Sequence, residues 1–276
     1  MFLNNKFLIF FKELFLFKNF IIQNVKRNIN HRYKNSIIGI LWLLLTPLSQ
    51  IIIYTVIFTT VIKIDNSKIF NSNDNNIFNY SIYICSGLVF WMLTQEILTK
   101  SLIMFVNYSD QLKKIKLPIQ SVTLIIVIEA IINVLIFLFI LSLFLIIINK
   151  INLFNFFWII PLIFINSMFV LSIGIILGVI FIINKDIVHI LNIVQQLIFW
   201  SVPIVYTIDI LPKYKFIEII YLLNPFFHFV DLYHKIIFTG LGFEFKLFIL
   251  FLLSLILLIL SFIFLINNKS FILDNL

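Results

Sequence analysis

The residues that could do chemistry are few, and most of them are cations. Arg27, His31, Arg32, Tyr33 and Lys34 form a polar segment that runs into an apolar stretch opening at Ile37, with Trp42 just inside and Pro47 beyond. Cations, then an indole, then hydrocarbon side chains is the order met on entering a bilayer from its anionic cytoplasmic face. Lys113, Lys114 and Lys116 cluster before Pro118, and Lys185 and Asp186 form a charged pair at a short turn. The first group reads as a positive-inside anchor; each of the other two reads either as such an anchor or as contact with a soluble motor subunit at the membrane surface.

Enzyme chemistry finds little support. None of the six glycines (Gly39, Gly87, Gly174, Gly178, Gly240 and Gly242) is followed by Lys-Ser or Lys-Thr, so there is no phosphate-binding G-x-x-x-x-G-K-[ST] loop. His31, His189, His228 and His234 are scattered without metal-binding spacing. Cys85 is the single cysteine, which excludes an intramolecular disulfide and a multi-cysteine metal site. No metal or cofactor is therefore expected on this chain. Glu129 is the one carboxylate well inside an apolar run, with Asn133 four residues on along the same helical face. An intramembrane carboxylate is a functional candidate. A proton relay needs several such groups, and the alternative is a hydrogen-bonded packing residue at a helix contact.

The elements that must position these residues are set by composition. The chain of 276 residues is 62% hydrophobic and 12% charged, with a mean hydropathy of +1.13. Globular domains are about 45–50% apolar and about 25% charged, so an all-α integral membrane protein is expected. The net charge of +8 does not indicate nucleic acid, because the cations gather at the ends of apolar stretches.

Residues 1–36 read as a cytoplasmic, interfacial amphipathic segment. Lys12, Asn19, Gln23 and Lys26 share one stripe, with Phe10, Leu14, Ile21 and Val25 roughly opposite. Residues 37–276 read as a domain of six spans, near 37–62, 77–98, 120–148, 156–183, 187–206 and 247–266. Gly174 and Gly178 place a close-packing G-x-x-x-G in the fourth. With the N-terminus inside, the inner segments hold nearly twice the Lys and Arg of the outer ones. Both termini are then cytoplasmic. Between the fifth and sixth spans, residues 203–246 hold Pro203, Pro212, Pro225, Gly240, Gly242 and two apolar pieces too short to cross. These read as re-entrant half-helices, tolerated at membrane depth only where buried in protein or lining a wet cavity. The alternative is an outer loop resting on the bilayer. Aromatics are dense, with 34 Phe. Tyr54, Phe58, Phe199, Trp200 and Tyr206 are candidates to line a path and stack on a passing sugar, or else they pack against lipid and core.

The segment RYKNSIIGILWLLLTPL resembles the R-Y-x-x-S-x-L-G-x-x-W-x-x-x-x-P signature of polysaccharide-exporting ABC type-2 permeases. SGLVFWMLTQEIL, NYSDQLKKIKLP, NKDIVHILNIVQQLIFWSVPIVY and LNPFFHFVDLYHKIIFTG are similar to further family segments, in the family's order. The resemblance implies a homodimer in the bacterial inner membrane, exporting a lipid-linked polysaccharide of the O-antigen or teichoic-acid kind. It implies two separate ATPase subunits that bind the ATP and Mg, so the chain is a transport subunit and not an enzyme. Arg27, Arg32, Tyr33, Lys34, Lys113, Lys114, Lys116, Pro118, Lys185 and Asp186 would then contact or couple to the ATPase. Gly39 would permit close packing and Pro47 a bend in the first span. The segment after span five would gate the outer side. Two other functions stay open: export of a drug or small lipid, and a membrane-embedded glycolipid enzyme, for which the paired acidic motif is missing.

Overall fold

The structure, a computed structural model, describes residues 16–34, 36–57, 78–114, 117–148, 157–207, 215–239 and 244–276. Phe58, Lys116, Lys12, Phe10 and Leu14 lie outside the described residues, as does the side chain of Tyr33. The described residues are helical apart from short turns. They form α1 (Lys18–Tyr33), α2 (Trp42–Val56), α3 (Asn79–Leu102), α4 (Met104–Asn107), α5 (Ser109–Lys114) and α6 (Gln120–Ile147). These are followed by α7 (Ile159–Ile183), α8 (Ile187–Ser201), α9 (Lys215–Leu223), α10 (Pro225–His234), α11 (Phe245–Asn267) and α12 (Lys269–Asn275).

Five helical stretches among the described residues are long and apolar enough to cross a membrane: Gly39–Val56, Asn79–Leu102, Gln120–Ile147, Ile159–Ile183 and Phe245–Asn267. The fifth expected span contains α8, whose 15 residues rise roughly 22 Å, short of a hydrocarbon core of about 30 Å. Most of α3 and α7 is buried, whereas α2 buries only Pro47 and Ile51 against the chain.

Hydrophobicity cannot sort inside from outside where both are apolar, so small residues mark the contacts. Gly174 and Gly178 of α7 meet α3 at Ser101; a Cβ on Gly178 would lie 2.6 Å from the Ser101 carbonyl oxygen. On α11, Leu247, Leu250, Ser254, Ser261 and Leu265 form one buried stripe. The serine hydroxyls are satisfied within their own helices. Ser254 donates to the Phe251 carbonyl and Ser261 to that of Leu258, both at 2.9 Å. Gly39 has a different role from the close packing expected of it. Nothing lies within 4 Å of a Cβ added there, and its φ of +61° starts the 3₁₀ turn Gly39–Leu41 that leads into α2.

The ends of the bundle separate by chemistry. The Gly178–Ser101 approach makes α3 and α7 run parallel, so α4, α5 and the Asn184–Asp186 turn share an end. Helices α1 and α12 join them there: Arg32 reaches Glu96 of α3, and α12 packs beside α5 with Ile272 buried. At the opposite end, residues 202–207 turn back after α8. Asn224 caps α10, its Oδ1 accepting from the Phe226 amide at 3.0 Å with Pro225 in the first turn. Helix α10 buries Phe229, Val230, Leu232, Tyr233 and His234 in the bundle.

Candidate functional site

Helix α1 is amphipathic, but its buried face is not purely apolar. Ile21 and Val25 pack inward as the stripe predicts, with Asn24 buried among them and Asn28 half-buried one turn on. Asn24 donates back to the Phe20 carbonyl at 2.8 Å and accepts from Arg27 at 2.8 Å. Asn28 donates to the Tyr108 hydroxyl at 2.6 Å and to Oε1 of Glu129 at 2.5 Å. Burial pushes the Tyr108 phenol above its ordinary pKa.

Glu129 belongs to a network joining α1, α3 and α6. Lys100 Nζ lies 2.6 Å from Glu129 Oε2 and 2.6 Å from Glu96 Oε1, the latter one turn before it on α3. Glu96 also accepts from Asn133 at 2.6 Å and from Arg32 at 3.2 Å. One ammonium is thus shared by two carboxylates, and α1 is tied to both spans through Arg32 and Asn28. Such a network holds helices in one register, and removing any one charge leaves its partner poorly compensated. Asn28, Tyr108 and Glu129 wall a cavity of about 320 Å³, with Arg27, His31, Arg32 and Lys100 around it and Met104 and Ile126 as apolar walls.

A second constellation holds the turn after α8. The Tyr80 hydroxyl donates to the Val205 carbonyl. The Tyr83 hydroxyl lies 3.2 Å from the carbonyls of both Pro203 and Tyr206. His234 lies beneath, its Nε2 3.1 Å from the Pro203 carbonyl and its Nδ1 2.6 Å from Ser86 Oγ. Its ring stacks on Tyr83, with centroids 3.7 Å apart and planes at 5°. Only an N–H can meet a carbonyl, so a proton sits on Nε2, while Ser86 Oγ, which donates to the Tyr83 carbonyl at 2.6 Å, lies against Nδ1. Burial depresses the His234 pKa to about 4, so the ring is neutral at physiological pH. Gly87 makes room: a Cβ there would lie 3.1 Å from the imidazole and from Ile204. Nearby, Lys235 bridges Asp231 and Glu244, both at 3.1 Å, and joins α10 to the start of α11. Burial works against its charge, but the two carboxylates outweigh it and hold its pKa above the ordinary lysine value.

Of the residues singled out in the sequence, Arg27 and Arg32 from one set and Glu129 from another line the same cavity. Lys34, Lys113, Lys114, Lys185 and Asp186 are exposed, and Pro118 is buried. Lys114 lies 3.9 Å from Asp110 across an exposed helical turn. Of the aromatic candidates, Phe199 packs edge-on against Trp91 at 5.1 Å, and Trp200 is 65% exposed. The Tyr206 hydroxyl donates to the Trp200 carbonyl at 2.9 Å, and Tyr54 is half-buried on α2. Asn28, Glu96, Lys100 and Tyr108 were not singled out from the sequence. Their signal is the Glu96/Lys100 pair four apart near the end of a span, and Asn24 and Asn28 on the apolar stripe of α1.

Residues 19–238 match the family model described as ABC-2 type transporter. Over 109 residues the chain is 26% identical to the O-antigen export system permease protein RfbA of Myxococcus xanthus. That alignment spans 40% of this chain and 38% of the other protein.

Proposed function

This chain belongs to the ABC-2 type transporter family, and we propose that it is the permease of an ATP-driven exporter carrying a lipid-linked polysaccharide of the O-antigen kind. The observation that carries the cargo is the similarity to an O-antigen export permease. A permease of this family is the membrane subunit of a transporter. In the proposed complex a separate ATPase binds ATP and Mg, with two copies acting on a pair of permeases in a bacterial inner membrane.

The arrangement of the chain supports this reading. Helix α8 starts at the end that holds α1, α4, α5 and α12, and its C-terminal turn is bonded to Tyr80 and Tyr83 near the start of α3. It therefore works as a shortened sixth crossing, which returns both termini to one side, here the cytoplasm. α10 is then the buried half of a re-entrant pair with α9. The outward faces of α2 (Ile52, Ile53, Val56) and α8 (Ile190, Ile193, Leu197, Trp200) are apolar, and a second copy of the chain would cover them. Exposed Lys113, Lys114, Lys185 and Asp186 stand at the end assigned to the ATPase.

The test is co-purification of the chain with its ATPase in nanodiscs, combined with deletion in the host. The expected result is a stable complex, loss of surface polysaccharide and unchanged drug tolerance. Changing Lys113 and Lys114 to Glu should reduce ATPase binding and glycan export while leaving membrane insertion intact. Altered drug tolerance with normal surface glycan would instead assign a small-molecule cargo.

A further inference from the structure

The cavity beside the charged network is too small for a glycan chain. Its 320 Å³ sits at the lower end of the range of about 300–1,000 Å³ for small-ligand pockets. Its lining is unusual for a packing defect. Three permanent cations, Arg27, Arg32 and Lys100, face one carboxylate, Glu129, with His31, Asn28, Asn107 and Tyr108 as further polar groups. Each guanidinium carries five N–H donors in a planar fork, a geometry suited to phosphate oxygens. Glu96 lies behind Lys100 and is itself held by Arg32 and Asn133.

Depth argues for a lipid. Helix α1 packs Ile21 and Val25 on the bundle at the end that holds α4, α5 and the Asn184–Asp186 turn, the end read here as the cytoplasmic headgroup level. Glu129 is nine residues into α6, roughly 13 Å along it, so the cavity reaches from the headgroup layer toward hydrocarbon. Met104 and Ile126 are its apolar walls.

We propose that this cavity takes the phosphate of a lipid headgroup, and that the phosphate replaces the Glu129 carboxylate on Lys100. The inference rests on the reading of the chain as an exporter of lipid-linked cargo. Glu129 is the natural competitor because both its oxygens are already engaged by donors an anion would want, Asn28 and Lys100. Lys100 keeps Glu96 throughout, and the displaced Glu129 carboxylate is the group left without its ammonium. Asn28 belongs to α1, so an arriving phosphate loosens the bond between that helix and α6.

The test titrates the full chain, in phosphatidylcholine nanodiscs, with radiolabelled farnesyl diphosphate. Farnesol and inorganic diphosphate serve as competitors. Saturable binding is expected, with no competition by farnesol and weak competition by inorganic diphosphate. Arg27→Gln should weaken binding about tenfold, the worth of one charge-assisted hydrogen bond, whereas Glu129→Gln should tighten it. A network that only holds helices together predicts the reverse, with Glu129→Gln weakening binding at least as much as Arg27→Gln. That result overturns the proposal, as does absence of saturable binding. Equal affinity for inorganic diphosphate overturns the lipid assignment. Arg27 is exposed, so its variant folds even if Glu129→Gln does not, and wild-type affinity in it is decisive against the site. Association with the ATPase is measured without headgroup, so failure of this site and failure of the export reading are separate results.

Discussion

The contact between α3 and α7 offers a steric test that separates backbone from side chain. A Cβ on Gly178 would lie 2.6 Å from the Ser101 carbonyl oxygen, and 3.2 Å from Met104 Cε and Phe105 Cε2. A carbon–oxygen approach settles near about 3.3 Å, so Gly178→Ala must push the helices apart by roughly 0.7 Å. Overpacking of that kind costs about 1–3 kcal/mol, offset by about 1 kcal/mol from removing a glycine inside a helix. The net expectation is a loss of up to about 2 kcal/mol. A Cβ on Gly174 meets the side chain of Ser101 instead, at 2.6 Å from its Cβ and 2.7 Å from its Oγ. Ser101→Gly deletes both atoms and leaves the carbonyl. The Ser101 hydroxyl has no hydrogen-bond partner among the described residues, so no bond is lost. In a double-mutant cycle, Ser101→Gly should therefore rescue Gly174→Ala and leave Gly178→Ala unrescued. Reversible unfolding of the solubilised chain in mixed micelles gives the four stabilities. Equal rescue of both alanines, or no cost in either, would refute a limit set by the α3 backbone.

Two further predictions concern the polar constellations. The His234 pKa falls from 6.5 to about 4 on folding, so the unfolded chain binds the extra proton first as pH drops. Stability is then full above about pH 6.5 and declines toward pH 4 by about 3 kcal/mol. His234→Gln should flatten the stability–pH profile in that window, and an unchanged slope in the variant would assign the titration to another group. Lys100→Met removes the ammonium shared by Glu96 and Glu129 and should destabilise the chain by about 3 kcal/mol, the lower end of the cost of breaking a buried pair. Lys100→Arg should recover part of it. Unfolding midpoints of the three proteins check this, and a neutral Met variant would show that the carboxylates find other partners.

Much of the architecture was legible because bilayer physics imposes long apolar helices, and their ends follow Pro118, the Asn184–Asp186 turn and the Asn224-Pro225 cap. The break in α8 was less visible. Residues 187–206 are apolar enough to cross, and only Pro203 warns that the helix stops at Ser201. What lets the chain leave the helix there is the set of hydroxyl and imidazole groups on other elements, Tyr80, Tyr83 and His234, which bond its freed carbonyls. Such long-range partners leave no local pattern. The network was hidden for a similar reason. Glu129 stood out as a lone intramembrane carboxylate, but the lysine that compensates it lies 29 residues away and its asparagine 101 away. Composition marks the charge that needs a partner, and only packing supplies one.

Both constellations converge on α3. From Tyr83 to Lys100 the helix rises about 25 Å, nearly the thickness of the hydrocarbon core. One end carries the ties to α1 and α6; the other carries those to the 202–207 turn and α10. Beside Lys100, at the near end, Ser101 of α3 lies against the two glycines of α7 with no room for a Cβ. Close-packed helices shift as bodies rather than stretch, because compressing such a contact is costly. A displacement of α1 that preserves the Arg32–Glu96 and Asn28–Glu129 bonds must therefore carry α3 and α6 with it. It then acts at the far end on the Pro203, Val205 and Tyr206 carbonyls held by Tyr80 and Tyr83. An anion that takes Lys100 from Glu129 loosens the Asn28 tie between α1 and α6, and the Arg32–Glu96 bond to α3 stays. On the proposal above, occupancy of the cavity sets whether α6 follows α1, while α3 still carries the motion of α1 to the far turn.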